Sequence, residues 1–183
     1  MMGAAELGAF VRQAEHDLFR LECLDQYQVE SDGGDYARYV AGEPGPDMTR
    51  MGPWLDRLRD ETGRGLRRRR VHVLRSPVGD YLRFECEWAY ALNAQAGEEI
   101  RILDLAERPL PTALTLEDFW VIDGQGVALM HYASDGEFVG ASLVPEPERF
   151  QQLAAQEAAW AGAEPFETWW ARHREYHRDR KVA

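Results

Sequence analysis

The sequence RRRRVHVL, at residues 67–74, decides most of what can be predicted about this chain. Two β-branched residues, Val71 and Val73, alternate there with His72 and Leu74, which predicts a β-strand. The four arginines before them lengthen the same strand. Because successive side chains of a strand point to opposite faces, the arginines divide between the two faces of the sheet.

Arg67 and Arg69 are predicted on the face of the valines, and Arg68 and Arg70 on the face of the histidine. A buried guanidinium group without a partner is costly. The first half of the strand must therefore either leave the core or meet anionic groups.

A helix is predicted on each side of this strand. Pro53 suits the first turn of the upstream helix, and Gly63 ends it. The downstream helix begins at Asp80, runs to about residue 94 and ends before Gly97. Their apolar faces are formed by Trp54, Leu55 and Leu58 in the first helix, and by Tyr81, Phe84, Trp88, Ala91 and Leu92 in the second.

The flanking segments predict further strands and helices. An amphipathic helix is expected at 6–18 and a half-buried strand at 19–29. A short helix at 35–40, a loop at 42–46 and a short strand from Ile100 follow. Glycine-bearing turns predict an antiparallel meander at 119–122, 127–132 and 138–144. Two helices close the chain, one from Phe150 to Trp160 and one from Pro165 to Tyr176.

The order of these elements predicts an α+β fold. Because helices and strands do not alternate regularly, we expect a mostly antiparallel sheet of about five to six strands, with helices packed on one side and a C-terminal helical pair. The length fits a single domain covering residues 1–183. Within it, residues 18–144 form the core and residues 146–178 form the C-terminal helices.

Composition narrows the class of protein. The chain has 183 residues, with 32 acidic against 21 basic side chains, so its formal net charge is −11. This charge argues against direct binding of nucleic acid. The sequence lacks an apolar run of about 20 residues that could span a bilayer. Two cysteines and an acidic start fit a cytoplasmic protein without disulfides or a secretory signal.

Charge is unevenly distributed along the chain. Six arginines and no carboxylate lie between Arg64 and Arg75, and a second basic stretch runs from Arg172 to Lys181. An acidic body with two basic patches can mark a site for an anionic ligand or partner. The alternative is that each patch pairs with the protein's own carboxylates.

Standard catalytic and cofactor motifs are missing from the sequence. It has neither a phosphate-binding glycine loop nor a serine nucleophile elbow. His173 and His177 have a spacing that a helix would place on one face, but Arg174 stands where a zinc protease needs its glutamate. We therefore predict no metal site and no cofactor. His72 and His131 are expected to be packed or hydrogen-bonded residues.

Arginines, carboxylates and aromatic residues recur in the middle of the chain. Guanidinium groups and aromatic rings can orient an anionic or planar ligand. We expect these groups to gather around a shared hollow at one end of the sheet. An internal salt-bridge network is the alternative. The candidate binding residues are Arg64, Arg70, Tyr81, Arg83, Glu85, Arg101, Asp118, Trp120, Asp123 and Tyr132.

The blocks DYLRFE, AGEEIR and DFWVID, followed by Met130-x-Tyr132 and an Asp-Gly turn, resemble an actinobacterial family, domain of unknown function six-eight-seven-nine. The likeness covers residues 18–176, and its members are often encoded beside Xre-type helix-turn-helix regulators. It implies a cytosolic bacterial protein paired with such a regulator, in a switch or a toxin–antitoxin-like module. Residues on the family pattern are Arg64, Arg70, Tyr81, Arg83, Phe84, Glu85, Gly97, Glu98, Arg101, Asp118, Phe119, Trp120, Asp123, Tyr132 and Gly136.

Three functions are compatible with the sequence. The preferred one is a regulatory protein whose acidic surface binds a DNA-binding partner of the Xre type. The second is a small ribonuclease-like toxin, in which arginines hold phosphate and His72 or Glu85 is the catalytic base. The third is a sensor of a small anionic metabolite, bound at Tyr81, Arg83 and Trp120.

Overall fold

The computed structural model describes residues 1–28 and 33–178, and these form one mixed seven-stranded sheet with helices around it. The predicted α+β class is confirmed, with more strands than expected. The strand order is β6-β5-β4-β1-β2-β3-β7. The strands are β1 (Asp17–Glu22), β2 (Arg67–Leu74), β3 (Glu99–Asp104), β4 (Phe119–Ile122), β5 (Gly126–Tyr132), β6 (Phe138–Leu143) and β7 (Glu164–Pro165).

The predicted helix after Asp80 is confirmed as a continuous helical run.

Among the described residues, no helix combines the length and the apolar character that a membrane crossing requires. The helices are α1 (Ala4–Val11), α2 (Asp35–Val40), α3 (Met48–Gly63), α4 (Asp80–Phe84), α5 (Ala91–Gln95), α6 (Phe150–Gly162) and α7 (Phe166–Arg172). A π-helical segment (Glu85–Tyr90) joins α4 to α5.

The centre of the sheet is parallel, which the sequence analysis missed. β2 lies between β1 and β3 and is parallel to both. The chain leaves β1, passes through α2 and α3 to β2, and then through α4 and α5 to β3. A central parallel strand is usually a continuous apolar run. Because arginines occupy the first half of β2, its sequence does not show such a run. The predicted lack of β-α-β alternation was therefore wrong for this half of the chain.

The other half of the sheet is antiparallel, as predicted. β4, β5 and β6 form a meander whose bounds agree with the expected ones to within a residue or two. Helices cover both faces of the sheet rather than one. Ala155 and Ala159 of α6 pack on one face against Phe19, whereas Leu82 of α4 packs on the opposite face against Ile102.

Helix ends differ from the prediction where local hydrogen bonds compete. α1 ends at Val11 and β1 ends at Glu22, both earlier than expected. The predicted continuation of β1 was wrong for residues 23–28, which form no strand apart from an isolated bridge at Gln28; Val29 lies outside the described residues. α3 begins before Pro53, because Asp47 caps it by accepting from the amide of Thr49. α7 ends at Arg172, and the chain then forms a short 3-10 turn.

We predict that Phe119→Ala lowers the free energy of unfolding by about 3–5 kcal/mol, because it opens a cavity in a filled core. Phe119 is fully buried, and its ring centroid lies 6.0 Å from that of Phe19. Urea denaturation measures the loss. The matched control is Leu116→Ala, a side chain that is 42% exposed, for which we expect a change within about 0.5 kcal/mol. Equal small losses in both variants would contradict this packing.

Candidate functional site

Charged side chains of the two central strands meet on one face of the sheet. Arg20 pairs with Arg70 across the β1–β2 register, and Glu22 pairs with His72 two residues later. Residues two apart in a strand share a face, so all four point toward the π-helical segment that covers it. We call this group and its neighbours the central cluster. It consists of Arg20, Glu22, Tyr27, Arg70, His72, Glu85, Tyr90, Glu98, Asp118 and Tyr132.

Arg20 is buried at the centre of this cluster. Its Nη2 atom donates to Asp118 Oδ2 and to Tyr132 Oη, each at 2.8 Å. Its guanidinium carbon lies 5.2 Å from the ring centroid of Trp120. Burial alone would lower the pKa of Arg20, but Tyr132, Asp118 and Glu22 outweigh it and raise that pKa. The side chain is therefore a permanent buried cation.

Asp118 ties the segment after β1 to the start of β4. Its Oδ1 accepts from the backbone amide of Cys23 at 2.9 Å. Its Oδ2 accepts from Tyr27 Oη at 2.7 Å, in addition to the bond from Arg20. A carboxylate with three such donors holds two chain segments 95 residues apart in one position.

Arg70 is matched by two carboxylates. Its Nη1 donates to Glu22 Oε2 at 2.5 Å, and its Nε donates to Glu98 Oε1 at 3.0 Å. Glu98 also accepts from Asn93 Nδ2 at 2.9 Å. Burial opposes the charge on Arg70, but Glu22 and Glu98 raise its pKa well above the usual value.

The pKa values of Glu22 and Glu85 are shifted in opposite directions. Burial favours the neutral form of Glu22, yet Arg70 and Arg20 overcome it and hold its pKa well below the usual range. Glu85 has no ion pair with either arginine among the described contacts. Burial, and then the negative charge of Glu22, raise the pKa of Glu85 well above its usual value. The surroundings therefore favour the protonated form of Glu85 and the ionised form of Glu22.

Glu85 is also a geometrically unusual position. It is the first residue of the π-helical segment, a feature frequently found at functional sites. Tyr81 Oη donates to its Oε1 over 3.5 Å. Its Oε2 is shielded from solvent, and no described residue hydrogen-bonds to it.

The contacts that link His72, Tyr90 and Glu22 share a single proton. Nε2 lies 3.0 Å from the carbonyl oxygen of Leu24, which only accepts, so Nε2 carries a proton. Nδ1 lies 2.6 Å from Tyr90 Oη, which lies 3.0 Å from Glu22 Oε2. Burial lowers the pKa of His72, which favours the neutral ring. One hydroxyl proton then serves two contacts, so a proton can be shared along this chain.

Several predicted site residues lie elsewhere. Arg64 is exposed beside a surface cleft at α3. Arg83 donates to the carbonyl of Tyr176 at 2.8 Å, and Arg101 donates to that of Trp160 at 2.8 Å. Asp123 accepts from three successive backbone amides, at residues 15–17. These contacts lie outside the central cluster, so the four residues do not join Arg70 there, and their role in binding stays a prediction.

The remaining predicted residues do come together. Arg70, His72, Glu85, Asp118 and Tyr132 belong to the central cluster. Tyr81 packs against Tyr27, with ring centroids 6.4 Å apart, and Trp120 lies over Arg20. Sequence reasoning missed Arg20, Glu22 and Tyr90. Their contacts depend on which strands flank β1, and the sequence pattern does not show that.

The cluster provides no surplus positive charge. The carboxylates of Glu22, Glu98 and Asp118 face two guanidinium groups, and Glu85 adds a neutral carboxyl. The neighbouring arginines of β2 are also matched: Arg67 by Glu99, Arg68 by Glu61 and Arg69 by Asp17, at 2.6–2.7 Å. The first basic patch is thus largely neutralised within the fold.

These features define an α+β domain whose central parallel strands bury a network of ion pairs. The family model for a domain of unknown function, DUF6879, matches residues 5–171. The chain belongs to this family. No curated protein is significantly similar to it.

Removing one partner of a buried ion pair leaves an uncompensated charge. We predict that Asp118→Asn lowers the free energy of unfolding by about 3–5 kcal/mol. Its neighbour Glu117 is exposed, so Glu117→Gln is the matched control and is expected to change stability by less than about 0.5 kcal/mol. Chemical denaturation of both variants tests this, and a neutral outcome for Asp118→Asn would show that Arg20 does not depend on it.

The carboxyl groups of Glu85 and Glu22 predict opposite effects of pH on stability. The folded protein retains the Glu85 proton above the pH at which the unfolded chain loses it, so its contribution to stability falls as pH rises. Glu85→Gln should therefore raise the free energy of unfolding at neutral pH by about 1 kcal/mol or more, an advantage that vanishes near pH 4.

Glu22→Gln should lower the free energy of unfolding at neutral pH instead of raising it. Glu22 is ionised in the fold, so its contribution is present at neutral pH and is lost as pH falls below the unfolded value. We expect a loss of about 3–5 kcal/mol at neutral pH that shrinks in acid. Denaturation curves across pH measure both variants, and effects of the same sign would contradict the assignment.

Proposed function

We propose that this protein is a regulatory binding protein whose acidic exterior docks on a basic, DNA-binding partner. The observation that carries the proposal is the location of its charge. The buried residues include three arginines and six carboxylates, so the rest of the chain carries −8 of the formal net charge of −11. A surface of one sign steers an oppositely charged partner and suppresses wrong ones.

A specific surface combines this charge with exposed apolar groups. The segment 143–150, after β6, exposes Leu143 by 56% and Phe150 by 66%. Glu146 and Glu148 lie exposed between them, and neither forms an ion pair with a described residue. We call this segment the acidic edge. Apolar groups flanked by carboxylates fit a basic amphipathic helix, such as the DNA-reading helix of an Xre-type regulator.

The two alternative functions gain less support from the geometry. A ribonuclease would need Arg64, Arg70 and Arg83 around one phosphate, and they lie in three separate places. An anion sensor would need free positive charge beside Tyr81 and Trp120. Arg83 donates instead to a backbone carbonyl, and the guanidinium that lies over Trp120, that of Arg20, is already paired.

Calorimetric titration of the chain with the Xre-type helix-turn-helix regulator that the proposal expects beside it tests the proposal. We expect a complex that weakens with added salt, since exposed charges are screened. The double variant Glu146→Lys and Glu148→Lys should lower the affinity at least tenfold. The control is Asp60→Lys with Glu117→Lys, which makes the same charge change at exposed positions away from the acidic edge.

The control variant should bind like the wild type. Absence of any complex at low salt would overturn the proposed function. An equal loss in both double variants would show that net charge matters and that the acidic edge does not.

A further inference from the structure

Three metal-ligating side chains converge at the edge of the sheet, outside the central cluster. Asp104 is the last residue of β3, Glu107 lies in the turn that follows, and His173 comes directly after α7. One ligand atom of each lies within 4.8 Å of the others. The two segments that supply them are distant in sequence, so the fold, rather than local spacing, creates this group.

One ring nitrogen of His173, Nε2, is shielded from solvent and available as a metal ligand. His173 Nδ1 lies 2.8 Å from Glu175 Oε1, a carboxylate that only accepts, so Nδ1 carries the proton. In the neutral ring Nε2 is then a lone pair. It is shielded from solvent, makes no hydrogen bond with a described residue and lies 3.1 Å from Glu107 Oε1. A contact this short needs a positive charge between the two atoms, which either a proton on Nε2 or a bound metal ion supplies.

The groups around these three side chains are ones that commonly hold metal ligands in place. A ligating histidine commonly donates its other nitrogen to a carboxylate, as His173 does to Glu175. Asp104 is held in place by the amide of Ala106 at 2.9 Å and by Trp169 Nε1 at 3.1 Å. Each of its oxygens retains a lone pair for a metal.

The local charge balance leaves room for a dication. Four carboxylates lie here, those of Asp104, Glu107, Glu164 and Glu175. Arg172 pairs with both Glu107 and Glu164, and Arg108 lies 3.6 Å from Glu164. Because the Arg172 side chain is 42% exposed, it can move away from Glu107 Oε1 while remaining paired with Glu164.

We propose that Asp104, Glu107 and His173 bind a divalent transition-metal ion, with zinc as the best fit. One imidazole and two carboxylates are ligands that zinc accepts, and three protein ligands leave a position for water. The metal would fasten the end of β3 to the chain after α7. His177 is not part of this site, since its ring stacks on Trp170 at 4.1 Å.

Calorimetric titration of the metal-free full chain with Zn²⁺ tests the site. We expect one ion per chain and a rise in the melting temperature. His173→Gln and Glu107→Gln should abolish this binding, and Glu175→Gln should weaken it about 10- to 100-fold. His177→Gln is the matched control, and it should bind zinc like the wild type.

A second measurement uses the wild-type chain, so it does not depend on whether the variants fold. Co²⁺ added to the wild-type chain should give the visible absorption of four-coordinate cobalt, and Zn²⁺ should shift the NMR signals of the His173 ring. The proposal is overturned if the wild type takes up no zinc, or if folded His173→Gln binds it as tightly. Equal weakening in His177→Gln would likewise place the metal elsewhere.

Discussion

Burial of guanidinium groups in the middle of the sheet is the constraint on which the rest of this structure depends. β2 has neighbours on both sides, and two of its arginines, Arg68 and Arg69, are almost completely buried. Taking such groups out of water costs several kcal/mol each unless carboxylates receive them. Three neighbours of β2 supply them: β1 with Asp17 and Glu22, α3 with Glu61, and the start of β3 with Glu99 and the preceding Glu98. The positions of these acids fix which strand lies beside which.

This internal matching has two consequences for function. It removes the first basic patch from the surface, so that the exterior is acidic and suited to a basic partner. It also leaves the carboxyl group of Glu85 without an ion pair to a buried arginine. Glu85 begins the π-helical segment and lies beside the shared proton of His72, Tyr90 and Glu22. A network that needed only to balance charge would not require it.

Local pattern predicted the parts of the fold that local chemistry controls. The strand at 67–74, the division of its arginines between faces, the helix after Asp80 and the meander were all visible in the sequence. The parallel pairing of β1 with β2 was not, because charged residues stand where such strands usually carry apolar ones. The site was half predicted: Arg70, Glu85, Asp118 and Tyr132 meet, but Arg20 and Glu22, which lie in the predicted half-buried strand at 19–29, were not among the candidates. The spacing of His173 and His177 misled because α7 ends at Arg172, which turns the first histidine toward Asp104 and Glu107.

Glu22 and Glu85 are expected to hold different charges in the folded protein. NMR titration of their side-chain carboxyl carbons measures both. At neutral pH we expect the Glu22 carbon to resonate as a carboxylate and the Glu85 carbon as a carboxylic acid. Two carboxylate signals at neutral pH, with Glu85 titrating like a glutamate in water, would contradict it.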